Sequence, residues 1–205
     1  MKEYTIDFSQ DTPNWQSIEA LCVGLSPWLP ESEIKMEQKV SFCPEALFVY
    51  QEAEEDPIRA EYYGDIGPVC NDSCMEFFLM PENADKYLNF EWNFNGCLCL
   101  GFGTNRYDRI RPVIEKPRDF FGFLSGRKEK GWWITYRIPV EFLRKFYPEL
   151  VLQEGQLFRA NCYKCGDRTV HPHYLCWNRV DSSNPDFHRP ESFGKMVLGR
   201  ESETT

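Results

Sequence analysis

Lys86-Tyr87-Leu88-Asn89-Phe90-Glu91-Trp92-Asn93-Phe94 alternates apolar and polar side chains, then gives way at Asn95-Gly96 to Cys97-Leu98-Cys99-Leu100-Gly101-Phe102. A period of two places Leu88, Phe90, Trp92 and Phe94 on one face and Tyr87, Asn89, Glu91 and Asn93 on the other, which predicts a strand with one wet face. Asn-Gly tolerates the positive φ of a type I′ turn, so the two runs read as a hairpin. Further strand text lies at 34–42, 46–50, 58–62, 74–80, 132–138, 157–164, 174–178 and 195–198. Helical signals are short. One covers 139–147, with Pro139 early, Phe142 and Phe146 four apart and Pro148 as a stop; the other covers 14–22. Short strands with no recurring strand-helix alternation predict an all-β fold: a single-domain antiparallel β-sandwich over 1–205, jelly-roll or immunoglobulin-like, with one or two short helices.

The 205 residues carry a formal charge of −9 and a pI near 5.0. That balance argues against a nucleic-acid partner, because such binding draws its affinity from Lys and Arg neutralising phosphates. The charge is uneven: residues 1–100 hold 5 basic and 19 acidic side chains, and the remainder hold 18 and 13. Pairing of an acidic with a basic sheet is the expected explanation. The longest apolar runs, around 96–102, fall far short of the roughly 20 residues that a membrane helix needs, so no membrane partner is expected. Acids at Glu3 and Asp7 and the lack of an apolar stretch near Met1 point to a cytoplasmic protein. Nine cysteines, an odd number scattered through strand-like text, read as buried thiols.

No nucleophile elbow, P-loop, zinc-protease helix motif or dinucleotide-binding glycine motif is present, so an enzyme reading starts with little support. The densest functional text is Phe158–Asp167 followed by His171–Asn178. Cys162-x2-Cys165 with His171, His173 and Cys176 supplies donors suited to tetrahedral zinc; the competing reading is buried thiols beside exposed imidazoles. A sugar site is the other possibility there. Sugars present an apolar C–H face and a hydroxyl rim, and Trp177 with Asn178, Arg159, Asn161 and His173 offers an aromatic plane and polar side chains. The run Glu52, Glu54, Glu55 and Asp56 reads as a solvated hairpin end or as hard oxygen ligands for calcium. Glu76 and Glu91, which come close if their strands are adjacent and antiparallel, are a carboxylate pair that a glycoside hydrolase could use.

Asn71-Asp72-Ser73-Cys74-Met75-Glu76-Phe77-Phe78-Leu79, the 158–167 segment, His173-Tyr174-Leu175-Cys176-Trp177 and the 184–194 segment ending in Phe193-Gly194 resemble, in that order, the family 9 carbohydrate-binding module and its stand-alone, DOMON-like bacterial relatives. The resemblance spans roughly 30–200. It implies a jelly-roll sandwich, often with structural calcium, that binds oligosaccharide without catalysis in connection with polysaccharide breakdown. Trp177 matches the family's C-terminal stacking tryptophan, and Asp72 and Glu76 match the ends of its D-S-x-x-E strand. Arg159 falls where a polar sugar contact is common. The second stacking tryptophan is replaced by Gly67-Pro68-Val69-Cys70, with Tyr62 or Tyr63 as aromatic substitutes. The expected ligand site is therefore Trp177, Arg159, Glu76, Asn178, His173 and Asp72. A glycoside hydrolase or a protein-interaction scaffold stands as the alternative.

Overall fold

A computed structural model describes residues 1–200. Its strands are β1 (Glu3–Phe8), β2 (Leu21–Val23), β3 (Lys35–Cys43), β4 (Ala46–Glu54), β5 (Cys74–Pro81), β6 (Tyr87–Asn93), β7 (Leu98–Gly103), β8 (Arg109–Ile110), β9 (Leu124–Lys128), β10 (Gly131–Pro139), β11 (Leu157–Cys165), β12 (Tyr174–Cys176) and β13 (Gly194–Leu198), with short helices α1 (Pro117–Phe120) and α2 (Val140–Arg144). One sheet runs β8-β7-β6-β5-β11-β13-β1, with β12 paired to β11; the other runs β1-β3-β4-β10-β9, with β2 paired to β3. β1 is the corner. Its residues 3–6 pair in parallel with β13 and its residues 7–8 with β3, so one strand belongs to both layers of an all-β sandwich.

The inward face of β6 is as read from the sequence, except that Phe94 lies past the end of the strand and is half-buried. Leu88, Phe90 and Trp92 are fully buried between the sheets, where Phe90 stacks on Tyr136 of β10 at 6.2 Å and meets Phe142 of α2. The connection to β7 differs from the expected type I′ turn. Asn93 O accepts from Gly96 N at 3.1 Å, Asn93 N donates to Cys97 O at 3.3 Å, and Gly96 alone has positive φ, at +76°. This is the three-residue loop in which a type I turn is followed by a left-handed glycine.

Two expected elements take other forms, and three strands were not expected. Residues 58–62 run extended without joining a ladder, because their amides bond to a side chain: Asp72 Oδ2 accepts from the N–H groups of Glu61 and Tyr62, each at 3.0 Å. The 14–22 stretch forms turns and then β2, with Ser17 N donating to Asn14 O. The short outer strands β8 and β9 carry too little alternation to stand out, whereas β1 alternates strictly as Glu3-Tyr4-Thr5-Ile6-Asp7-Phe8 and was legible but not read. The acidic and basic halves also interleave: β4 pairs with β10 and β5 with β11, so each sheet draws on both halves.

Glu55 departs from the solvated-hairpin reading of the 52–56 run, whose Glu54 and Asp56 are exposed as read. It is 5% exposed; Oε1 accepts from Ser73 Oγ at 2.7 Å, and Oε2 from Trp132 Nε1 and Lys164 Nζ, both at 3.0 Å. Burial pushes its carboxyl upward, but Lys164, Ser73 and Trp132 together hold it below the ordinary carboxylate value. Glu52 is taken by Tyr50 and Lys128. Glu52 and Glu55, engaged by protein donors, are therefore poor candidates for the calcium ligands read in this run, which leaves Glu54 and Asp56 as its exposed carboxylates.

Candidate functional site

Tyr87, Asn89, Glu91 and Asn93 form the face of β6 that alternation marks as wet, yet none is more than 6% exposed. Segments 59–73, 104–111 and 184–193 cover that face: Asn93 Nδ2 donates to Asp72 at 2.9 Å, Arg109 reaches Asn89, and His188 lies 5.0 Å from Phe78. Where the cover is incomplete, a cleft of about 730 Å³ opens. Its floor comes from register. Glu76 faces Glu91, which in turn faces Cys99, across three adjacent strands, and Cys165 adjoins on β11.

The floor carries ionisable groups but is largely dry. Glu76 is 3% exposed; burial first, and then Glu91 beside it, push its carboxyl well above the usual range, and Cys165 Sγ donates to its Oε1 at 3.0 Å. Glu91 is also pushed upward by burial, against the pull of Arg109 at 3.8 Å. Asn89 Nδ2 donates to Glu91 at 2.9 Å and Arg109 donates to Asn89 Oδ1 at 3.2 Å. Asn89 lies flat across Gly101, where an added Cβ would sit 2.4 Å from Asn89 Oδ1. Burial and Arg109 lower His188 to about 2, so its neutral ring shares a 2.8 Å hydrogen bond with Tyr87. Arg111 Nη1 lies 2.7 Å from Cys99 Sγ.

The walls are aromatic on one side. Half-buried Trp28 and Tyr174 meet edge to face at 6.1 Å, and Trp28 packs 5.4 Å from Phe187. Trp28 is anchored by Nε1, which donates to Ser182 O at 2.7 Å. Asp167 and Asp186 stand at the rim with Arg106. Chemically the cleft offers an apolar plane, carboxyl groups and guanidinium forks within one enclosure, a set suited to a ring with hydroxyls at its edge.

Of the six residues expected from the sequence, Glu76 alone lines this cleft. Trp177 is 3% exposed, and a Cβ at Gly194 would fall 2.5 Å from its indole, so the platform expected of it is a core side chain packed under β13. Arg159 Nη2 donates to Pro190 O, and Asn178 joins Lys2 N to Ser192 O; both fasten the chain. Asp72 is wholly buried and pins the 59–63 segment. His173 is buried too, contrary to an exposed imidazole. Its Nδ1–H donates to His171 O and its Nε2 accepts from Lys164, while burial and that ammonium lower it to about 4. Cys162 and Cys165, three apart on β11, point to opposite faces, so the zinc constellation read there is not assembled. Tyr62 and Tyr63 lie off the cleft, whereas Gly67–Cys70 lines it. Trp28, Tyr174 and the Arg106, Arg109 and Arg111 group were missed. The arginine cluster was visible, since Arg109 and Arg111 are two apart and share one side of an extended segment.

The family model for carbohydrate-binding family 9 matches residues 4–198. Among solved structures, a Bacteroides uniformis protein described as carbohydrate-binding is 25% identical, with a TM-score of 0.79, over 96% of this chain and 99% of its own. Two structures of a family 9 module from Caldicellulosiruptor kristjanssonii share the fold. The cellotriose complex gives 12% identity and TM-score 0.65 over 100% of this chain and 97% of that one; the glucose complex gives 13% and 0.66 over 100% of both. No curated protein matches the chain in sequence. Matched over nearly its whole length, the chain belongs to carbohydrate-binding family 9.

Proposed function

We propose that the chain binds carbohydrate without turning it over, and that the cleft between the 59–73, 104–111 and 184–193 segments is where it does so. The observation that carries this is the joining, in a family 9 chain, of buried carboxyls at Glu76 and Glu91, the Arg109 fork and the Trp28–Tyr174 pair in one enclosure. Aromatic planes take the C–H face of a sugar while fixed donors and acceptors count its hydroxyls. The Caldicellulosiruptor complexes name glucose and cellotriose as ligands of that module, which makes them the first probes. Calorimetry should give saturable binding of such a sugar, weakened by roughly 1 to 3 kcal/mol in Tyr174→Ala. No binding across a glycan array leaves a scaffold that contacts proteins instead, and hydrolysis of aryl glycosides dependent on Glu76 and Glu91 makes it an enzyme. Nine unpaired cysteines support residence in a reducing compartment; a thiol count in denaturant without reductant should return nine.

A further inference from the structure

Cysteine chemistry gathers where the sugar reading does not use it. Cys74 and Glu76 are two apart on β5 and share its cleft-facing side, and Cys165 on β11 stands opposite Cys74 in register. The two Sγ atoms and a carboxylate oxygen of Glu76 all lie within 4.8 Å of one another, and all three residues are buried. Among the described residues no other group of three Cys, His, Asp or Glu side chains converges this closely.

We infer that Cys74, Cys165 and Glu76 form a binding site for a thiophilic divalent cation of the zinc class, with its fourth coordination position open to the cleft. Two thiolates and a carboxylate suit zinc, whereas calcium and magnesium require all-oxygen shells. Ligand atoms around tetrahedral zinc lie about 3.3 to 3.8 Å apart, so the three close on an ion by moving about an ångström. The strands that carry them are hydrogen-bonded neighbours, which fixes the frame. Cys165 and Glu76 line the cleft, so a water or a ligand hydroxyl has access to the remaining position.

The site is a dithiol when empty. Burial raises Cys74 to about 12, and Cys165 is held up by its hydrogen bond with Cys74 and by burial. Metal binding replaces both thiol protons and any proton on Glu76, releasing them to solvent. Two thiolates, one carboxylate and a divalent cation leave a net charge of −1. The field of the Lys164 ammonium acts on both Cys74 and Glu76 in the direction that offsets it.

Cobalt(II) added to the fully reduced chain in weak buffer near pH 8 tests the site directly. One ion per chain should bind with thiolate-to-cobalt charge-transfer absorption and the intense visible bands of tetrahedral cobalt. Protons should be released, and zinc should bleach the spectrum. Cys74→Ser or Cys165→Ser should abolish the charge-transfer band, and Cys22→Ser, at an exposed position on β2, should keep it. A thiolate-free octahedral spectrum from the wild-type chain overturns the site whether or not the serine variants fold. Loss of the band in Cys22→Ser places the ligands elsewhere and overturns it too.

Discussion

Glu76 holds a carboxyl in an almost dry floor, and the sign of its linkage is opposite to that of most acids. Its folded value is raised, so above the ordinary value near 4.5 the unfolded chain gives up a proton that the folded chain keeps. Stability therefore falls as pH climbs from about 4.5 toward the folded value, by at most about 1.4 kcal/mol per pH unit. Glu76→Gln removes that loss. Thermal melts should show the variant little changed at pH 5 and more stable than wild type at pH 8, while sugar titration loses its enthalpy; equal shifts at both pH values would contradict a raised carboxyl. Trp177 predicts the reverse separation. Buried under β13, it should lose about 3 to 5 kcal/mol of folding free energy on truncation to Ala, with sugar affinity of the folded protein unchanged. Sequence could point to Glu76, because an acid inside apolar strand text must be held there for a reason. It could not separate a buried from an exposed tryptophan at 177: the deciding neighbour is the bare backbone of Gly194, 17 positions along the chain.

At the scale of elements, the β6–β7 hairpin shows what alternation can and cannot convey. Leu88, Phe90 and Trp92 were readable as core because a period of two sorts side chains by face. The opposite face was misread as wet because burial there comes from irregular segments at 59–73 and 184–193, which have no period to detect. The strand at 58–62 failed for a related reason. Its extended text is genuine, but Asp72 and not a neighbouring strand takes its amides. The turn itself makes a prediction. Gly96 has φ +76°, and a Cβ there would lie 2.8 Å from Arg118 and 2.9 Å from Phe123. Gly96→Val should thus cost on the order of 1 kcal/mol for the backbone and more for the displaced contacts, read as a lowered denaturation midpoint. Gly122→Ala also sits at positive φ, with open space around it, and should show the backbone part alone.

Over the whole molecule, the charge imbalance between the halves was legible as a number and misleading as a picture. Strands of the two halves meet inside each sheet, β5 against β11 and β4 against β10, and the pairs that join the halves include Glu52–Lys128, Glu91–Arg109 and Glu55–Lys164. The last of these spans the sandwich. Glu55 and Trp132 belong to the β4–β10 side, Ser73 and Lys164 to the β5–β11 side, and Lys164 is wholly buried with its ammonium on Glu55, the neutral His173 ring and Cys165 O. A buried pair of this kind contributes little relative to an apolar substitute, but breaking it leaves a charge with no partner. Lys164→Met should accordingly lose about 3 to 5 kcal/mol, because Glu55 must then ionise in a dry interior or take up a proton. The double variant Lys164→Met/Glu55→Gln should recover most of that loss, since no unpaired charge remains and the glutamine carbonyl still accepts from Trp132 Nε1 while its amide turns to Ser73 Oγ, which can accept. The pH dependence carries the same signature. Glu55 is held low in the folded wild type, so its contribution is present above its unfolded value and is lost as pH falls through the folded one. His173, lowered to about 4, adds a loss of the same sign beginning near 6.5. Denaturant melts of the wild type and the double variant followed from pH 7 to below the ordinary carboxylate value of about 4.5 should therefore converge toward acid. Single and double variants that lose equal stability would show that the two sheets are held at this end by packing alone.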